Sequence, residues 1–255
     1  MRHPAPKRPF SWLAALSPLI LLAAWSALSY SGLFPRDIVV PPDVIWRTFL
    51  DKWSDGELPT HLGNSLMRLI AGYAIGAMAG VALGTLMGVS KTAEAFVMPS
   101  FLILRQLPTI ALIPAFILLF GVGETVKIVL VAKATALPVA FGAFQGVRNI
   151  PRGYFDVARV FRIDPVTQFV RVIVPASLPA LFQGLRTALS HSWVVLVAAE
   201  LLIADNGLGQ MMEWGRQSFR LDVVLLGVVI TGLIGFALDK GMRLVERAAQ
   251  AGRAA

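Results

Sequence analysis

With 255 residues of which 56% are hydrophobic and only 15% charged, the chain lacks the polar side chains that cover a soluble surface, where about 25% charged residues is ordinary. Its mean hydropathy of +0.69 and its long apolar runs suit a bilayer, whose hydrocarbon core is crossed by about 20 such residues. The absence of cysteine excludes a disulfide framework and thiolate metal ligands, and the net charge of +8 finds its explanation in topology rather than in nucleic acid.

The chain opens with Arg2, Lys7 and Arg8 before an apolar stretch from Ser11 to Tyr30. This pattern has the outline of a signal peptide. The stretch is near full spanning length, however, and no small-x-small site precedes Phe34-Pro35, so an uncleaved first span is the reading adopted. Six spans are expected, over about 11–30, 64–89, 96–120, 124–147, 178–203 and 222–242. Residues 35–62 lie between the first two, and Trp46, Phe49, Leu50 and Trp53 in this segment suit a short amphipathic helix at the membrane interface.

In the second span Gly72, Gly76, Gly80, Gly84 and Gly88 share one helical face, which lets a neighbouring helix approach closely. That neighbour could belong to this subunit or to another. Pro99, Pro108 and Pro114 break the third span. Backbone groups freed at membrane depth are tolerated only against protein or a water-filled cavity, so this span is placed near a translocation path. Alternatively, 96–108 lies at the interface and only the remainder crosses.

Lys and Arg outside the spans set the orientation. With the N-terminus inside, Arg2, Lys7, Arg8, Lys91, Arg148, Arg152, Arg159, Arg162, Arg171, Arg243, Arg247 and Arg253 are cytoplasmic. Arg36, Arg47, Lys52, Lys127, Arg216 and Arg220 are outside, a ratio of 12 to 6. Both termini are then cytoplasmic.

The loop 148–176 is the largest polar segment on that side. Tyr154 to Phe161 alternates polar and apolar groups at helical spacing, Asp164-Pro165 forms an N-cap with proline at the first helical position, and Val166 to Val174 predicts a second short helix ended by Pro175. Such a plug either docks a partner or serves as a solvated connector.

Charged groups in or near the spans are candidates for function because burying them is costly. Lys133 lies in the fourth span, Glu200 late in the fifth, Arg186 and His191 early in the fifth, and Arg105 beside the broken third span. Lys133, Glu200, Arg105, Pro108 and Pro114 are the candidates for a translocation path. Lys133 and Glu200 could instead pair with each other or with backbone, and Arg186 is read as snorkelling to the interface. His3, His61 and His191 are too scattered for a metal site. No phosphate-cradling Gly-x-x-x-x-Gly-Lys run is present, so neither a cofactor nor a catalytic residue is assigned. A secondary transporter would call for paired broken helices in both halves, and a membrane enzyme for convergent polar residues within spans. The sequence has neither.

Asp156-Val157-Ala158, the basic and hydrophobic run after it, and Val172-Ile173-Val174-Pro175 resemble the coupling loop of binding-protein-dependent ABC permeases. That loop reads Glu-Ala-Ala, then glycine four residues on, then Ile-x-Leu-Pro. The spacing from Asp156 to Pro175 is the family's, but Arg162 occupies its glycine position, so either the turn shifts toward Asp164-Pro165 or Arg162 makes a contact of its own. Gly63-Asn64-Ser65-Leu66-x-Arg68, Leu107-Pro108 through Pro114, Gly121-x-Gly123, Leu178-Pro179, Gly184-Leu185-Arg186, Trp193 with Ala199-Glu200, Gly207-Leu208-Gly209 and Asp239 ahead of Arg243 and Glu246-Arg247 extend the resemblance to the sulfonate, taurine and nitrate importer permeases over about residues 35–247.

The resemblance implies an all-α polytopic protein with the type I ABC importer permease fold. Its parts are a first segment, 1–60, a permease domain, 61–245, that contains the loop, and a tail, 246–255. It implies a permease homodimer, two copies of a cytoplasmic ABC ATPase, and a periplasmic or lipid-anchored solute-binding protein. On this reading ATP is hydrolysed on the separate ATPase, and Asp156, Val157, Ala158, Arg159, Arg162 and Pro175 form the coupling loop.

Overall fold

The computed structural model describes residues 12–33, 35, 38–203 and 205–251. Arg2, Lys7, Arg8, Arg36 and Arg253 of the charge count, and His3, lie outside the described residues. Within these residues all regular structure is helical. The helices are α1 (Trp12–Tyr30), α2 (Pro42–Ser54), α3 (Glu57–Val89), α4 (Lys91–Gln106), α5 (Ile113–Phe120), α6 (Glu124–Arg148), α7 (Arg152–Val160), α8 (Pro165–Gln168), α9 (Val174–Ile203), α10 (Leu208–Gln217) and α11 (Leu221–Ala251).

Four stretches of the described chain are long and apolar enough to cross a bilayer: α3, α6, α8 running on into α9, and α11. A fifth is the pair formed by α4 and Ile110–Phe120. The stretch expected as the first span falls on α1, an apolar helix of 19 residues. Helix α3 begins well before position 64 because Gly56, at φ 76°, turns the chain directly into it.

The third span is broken as expected, but by one proline rather than three. The break runs over Leu107–Thr109, and the two parts stand at 89°. Pro99 lies inside α4, and Pro114 sits in the first turn of α5, where its missing N–H loses no helical bond. Only Pro108 falls where the helix stops.

Helices α3, α6 and α9 form the centre. A side chain on any of the five register glycines of α3 would run into α6: a Cβ at Gly76 would lie 2.3 Å from the Ala132 carbonyl oxygen, and one at Gly84 would lie 2.1 Å from that of Ala140. The glycine face therefore packs within the subunit, backbone against backbone. On its other side α6 meets α9 through Gly142 and Gly146, where a Cβ would lie 2.9 Å from the Ala180 oxygen and 2.7 Å from the Ser177 oxygen. The Trp193 indole N–H donates to the Thr231 carbonyl at 3.0 Å and ties α9 to α11. Outward-facing Leu21, Met67, Met78, Leu118 and Leu233 are exposed, as an apolar surface in contact with lipid requires.

Helix α2 is amphipathic in the expected sense. Ile45, Thr48 and Lys52 are buried against the bundle, while Trp46, Leu50 and Trp53 are exposed. Trp46 and Phe49 stack at 5.2 Å.

Gly84→Val is expected to push α3 off α6 and destabilise the protein by on the order of 3 kcal/mol. Gly241→Ala, at a helical position with open space around it, should leave stability unchanged or slightly raised. Thermal unfolding of the purified variants in detergent, followed by loss of the monodisperse peak, measures both. Equal melting temperatures would refute the backbone-contact assignment.

Candidate functional site

The loop between α6 and α9 is ordered by its own backbone chemistry. Helix α7 ends in a Schellman turn: Ile163 N–H donates to the Ala158 carbonyl at 2.9 Å and Arg162 N–H to the Arg159 carbonyl at 3.1 Å. This turn needs a left-handed residue, and Arg162 supplies it at φ 51°. The turn has not shifted toward Asp164-Pro165: arginine takes the conformation that glycine adopts without steric cost. Two residues later the Asp164 carboxylate accepts the Thr167 N–H at 2.9 Å and caps α8, with Pro165 in its first turn. Hydrogen bonds from Thr167 hold the Asp164 carboxyl below the usual aspartate range. The cap is therefore complete above that range and is lost only as acid protonates it.

The second loop helix does not end at Pro175. Helix α8 widens into a π-turn over Phe169–Ile173, in which the Val174 N–H reaches back to the Phe169 carbonyl, and then runs on as α9. The proline falls in the first turn of α9, just past the wide turn, where the usual clash of its ring with the carbonyl one turn back is relieved.

The loop candidates point in different directions. Asp156 and Arg159 lie on one exposed flank, 3.7 Å apart. Ala158, expected on the docking surface, is only 3% exposed and shares an inner cleft with Phe155, Ile163 and Gln168. Its small size serves the loop's own packing. Val157 faces outward with Tyr154, Val160 and Phe161, and Val166 and Val170 on the following turns are exposed as well. Sequence reasoning missed this stripe. Its signal was an apolar residue on both sides of α7, one set packed into the fold and another left exposed among the described residues.

At the broken span, the Lys133 ammonium donates to the Leu107 carbonyl at 2.9 Å and to Thr109 Oγ1 at 3.0 Å. Lys133 and Pro108 therefore come together, and the lysine supplies the donor that the broken helix lost. Arg105 lies apart, its guanidinium 3.9 Å from the centre of the Phe141 ring.

Glu200 does not meet Lys133. Its carboxylate is buried and accepts from Ser65 Oγ at 2.8 Å, Arg68 Nη1 at 2.8 Å and the Gly209 N–H at 3.1 Å. Arg68 forks onto Glu124 at 2.6 and 2.7 Å, and Lys127 reaches Glu124 at 2.9 Å. Arg68 also donates to the backbone and side-chain oxygens of Asn206. The Gly207 N–H donates to His61 Nδ1 and the Leu208 N–H to Ser65 Oγ, so three successive amides are bound. Gly207 is required here: its φ is 117°, and a Cβ would lie 2.4 Å from the Glu200 carboxyl carbon. The cluster closes one end of the bundle by tying α3, α6, α9 and α10 together. The sequence listed Glu200 but not Arg68, its partner 132 positions earlier.

Arg186 has a partner that the sequence did not indicate: it binds Asp239 at 2.6 Å, and Arg243 binds the same carboxylate at 3.0 Å.

Arg68→Ala leaves the Glu200 carboxylate buried without its cation and should destabilise the protein by about 3–5 kcal/mol. Glu200→Gln keeps a hydrogen-bonding side chain in place and should cost less. Denaturation of the two variants side by side tests this order, and a milder effect for Arg68→Ala would show that the pair is not what holds this end.

The description "Binding-protein-dependent transport system inner membrane component" matches residues 72–250. A putative aliphatic sulfonates transport permease protein of Bacillus subtilis is 35% identical over 247 residues, covering 96% of this chain and 89% of that protein. The taurine transport system permease protein of Escherichia coli is 31% identical, covering 89% and 85%. The nitrate import permease protein of Leptolyngbya laminosa is 32% identical, covering 88% and 82%. Among solved structures, a chain of the inward-facing MetNI methionine ABC transporter matches with a TM-score of 0.59 at 23% identity, over 72% of this chain and 94% of that one. An amino acid ABC transporter with histidines matches with a TM-score of 0.62 at 19% identity, over 79% and 97%. These two show the shared fold. The chain belongs to the binding-protein-dependent transport system inner membrane components, the multi-pass permeases of ABC importers.

Proposed function

We propose that this permease carries a small anionic solute, an aliphatic sulfonate or taurine first, with nitrate or a vitamin precursor as the alternative solute of the same machine, and that an ATPase drives it through the 148–176 loop. The observation that carries the ATPase reading is the exposed stripe of Tyr154, Val157, Val160 and Phe161 on a helix closed at its C-terminal end by a Schellman turn. An apolar helix face outside the spans calls for a groove on a partner. The relatives' named solutes, sulfonates, taurine and nitrate, support an anionic solute. Lys133 and Arg105, beside the broken span, are the cations placed to meet it, whereas Glu200 closes the bundle.

In the proposed assembly both termini and the loop are cytoplasmic. Two permease copies face two ATPase subunits, and a periplasmic or lipid-anchored binding protein delivers the solute at the opposite end. Nucleotide-driven closure of the ATPases would displace α7 together with the Schellman turn that joins it to α8, and would shift the permease between inward- and outward-open populations.

The loop assignment is tested by co-purification with the cytoplasmic ABC ATPase that associates with the intact chain. Val157→Glu with Phe161→Glu should abolish association, and Arg162→Val should weaken it because a β-branched residue resists the left-handed turn. Arg162→Gly should retain it. Association that survives the double substitution would place the ATPase contact elsewhere. For the solute, a strain lacking the chain should fail to grow on an alkanesulfonate or taurine as sole sulfur source. Normal growth there, with failure on nitrate as sole nitrogen source, would move the assignment to nitrate.

A further inference from the structure

A cleft of about 980 Å³ lies where the end of α3, the start of α4 and the end of α6 meet the flank of α7 and α8, outside both the ATPase-facing stripe and the broken span. Its inner wall is apolar, with Val89, Val147, Phe155 and Ile173. Lys91, Arg148, Arg152 and Arg159 line the same cleft. Two of these cations are already compensated: Arg148 by Glu94 at 3.3 Å and Arg159 by Asp156 at 3.7 Å. Lys91 and Arg152 are exposed and have no carboxylate within ion-pair reach among the described residues, so the lining carries an excess of two positive charges.

Helix α3 has 33 residues and is about 50 Å long, more than the roughly 30 Å of the hydrocarbon core. Its apolar run ends at Val89 and is followed by Ser90 and Lys91, so on the span reading above the cleft sits at the headgroup boundary. A hydrophobic wall joined to a cationic one at the headgroup boundary is complementary to a molecule with the same division.

We propose that this cleft binds the headgroup of an anionic phospholipid, with the phosphate held by Lys91 and Arg152 through charge-assisted hydrogen bonds and the acyl chain along the exposed Val89 and Phe169. A soluble oxyanion would satisfy the cations but leave the apolar wall in water. Bound there, the lipid braces α7 against the end of α6, so that leaflet composition sets how firmly the loop is held. The site does not depend on which solute is carried, and it uses the inner flank of α7 rather than the Tyr154, Val157, Val160 and Phe161 stripe proposed to face the ATPase.

The test is native mass spectrometry of the delipidated full chain in detergent, titrated with phosphatidylglycerol, with phosphatidylcholine, and with phosphatidylglycerol in the presence of millimolar inorganic phosphate. One phosphatidylglycerol per chain should be retained in preference to phosphatidylcholine and should resist phosphate. Each cation removed should weaken binding about fivefold, so Lys91→Gln with Arg152→Gln should weaken it roughly twentyfold. Lys240→Gln with Arg247→Gln, the same charge loss on α11, should leave it unchanged. The proposal fails if the two phospholipids bind equally or if both double variants lose binding alike. Full displacement by inorganic phosphate would assign the site to a free anion instead and equally overturn the lipid.

Discussion

Inside a bilayer no water is available to complete a hydrogen bond, and a polar group left single there costs several kcal/mol. The architecture of this permease follows from meeting that condition within the chain. Where Pro108 interrupts the third span, Lys133 crosses from α6 to bind the freed Leu107 carbonyl. Where Glu200 is buried, Arg68, Ser65 and the Gly209 amide surround it. Where Pro175 would have broken a helix, a π-turn absorbs the change. At Pro108 and Glu200 the partner lies on a different element, so the polar contacts that repair the helices are also the contacts that fix how the helices sit.

The complementary constraint is steric. Lipid gives apolar side chains no reason to leave it for one another, so helices associate through close fit. The glycine register of α3 lets two backbones touch and brings the carbonyls of α6 within reach of α3. The ion cluster at the end of α3 depends on this proximity, because Arg68 spans from α3 to both Glu124 and Glu200 only when the three helices are tightly drawn together.

Much of this was legible in the residues. Apolar runs located the spans, the glycine spacing marked a packing face, and Asp164-Pro165 placed a helix start that the Thr167 N–H then satisfies. Features that depend on distant partners were not legible. Nothing local tells that Glu200 belongs with Arg68, or that Arg186 finds Asp239, because each pairing is made by helix packing and not by sequence neighbours. The inward turn of Ala158 and the outward turn of Val157 depend on how α7 rolls against the bundle, which periodicity alone leaves undetermined when both faces carry apolar residues. Arg162 illustrates a different limit: the position announced a left-handed turn through the family's glycine, and only the backbone revealed that an arginine fills it.

The run from Pro165 to Ile203 is continuous helix of 39 residues, about 58 Å from end to end, with a single wide turn near one end. One of its tips lies in the loop, and the other carries Glu200 and leads directly into the Gly207 turn. It is in effect a lever with its short arm outside the bilayer. A tilt of about 5° at the loop, carried over that length, moves the far tip by about 5 Å, more than any hydrogen bond in the Arg68 cluster can stretch. The cluster must then travel with the lever or come apart, so the two ends of this protein share one mechanical fate.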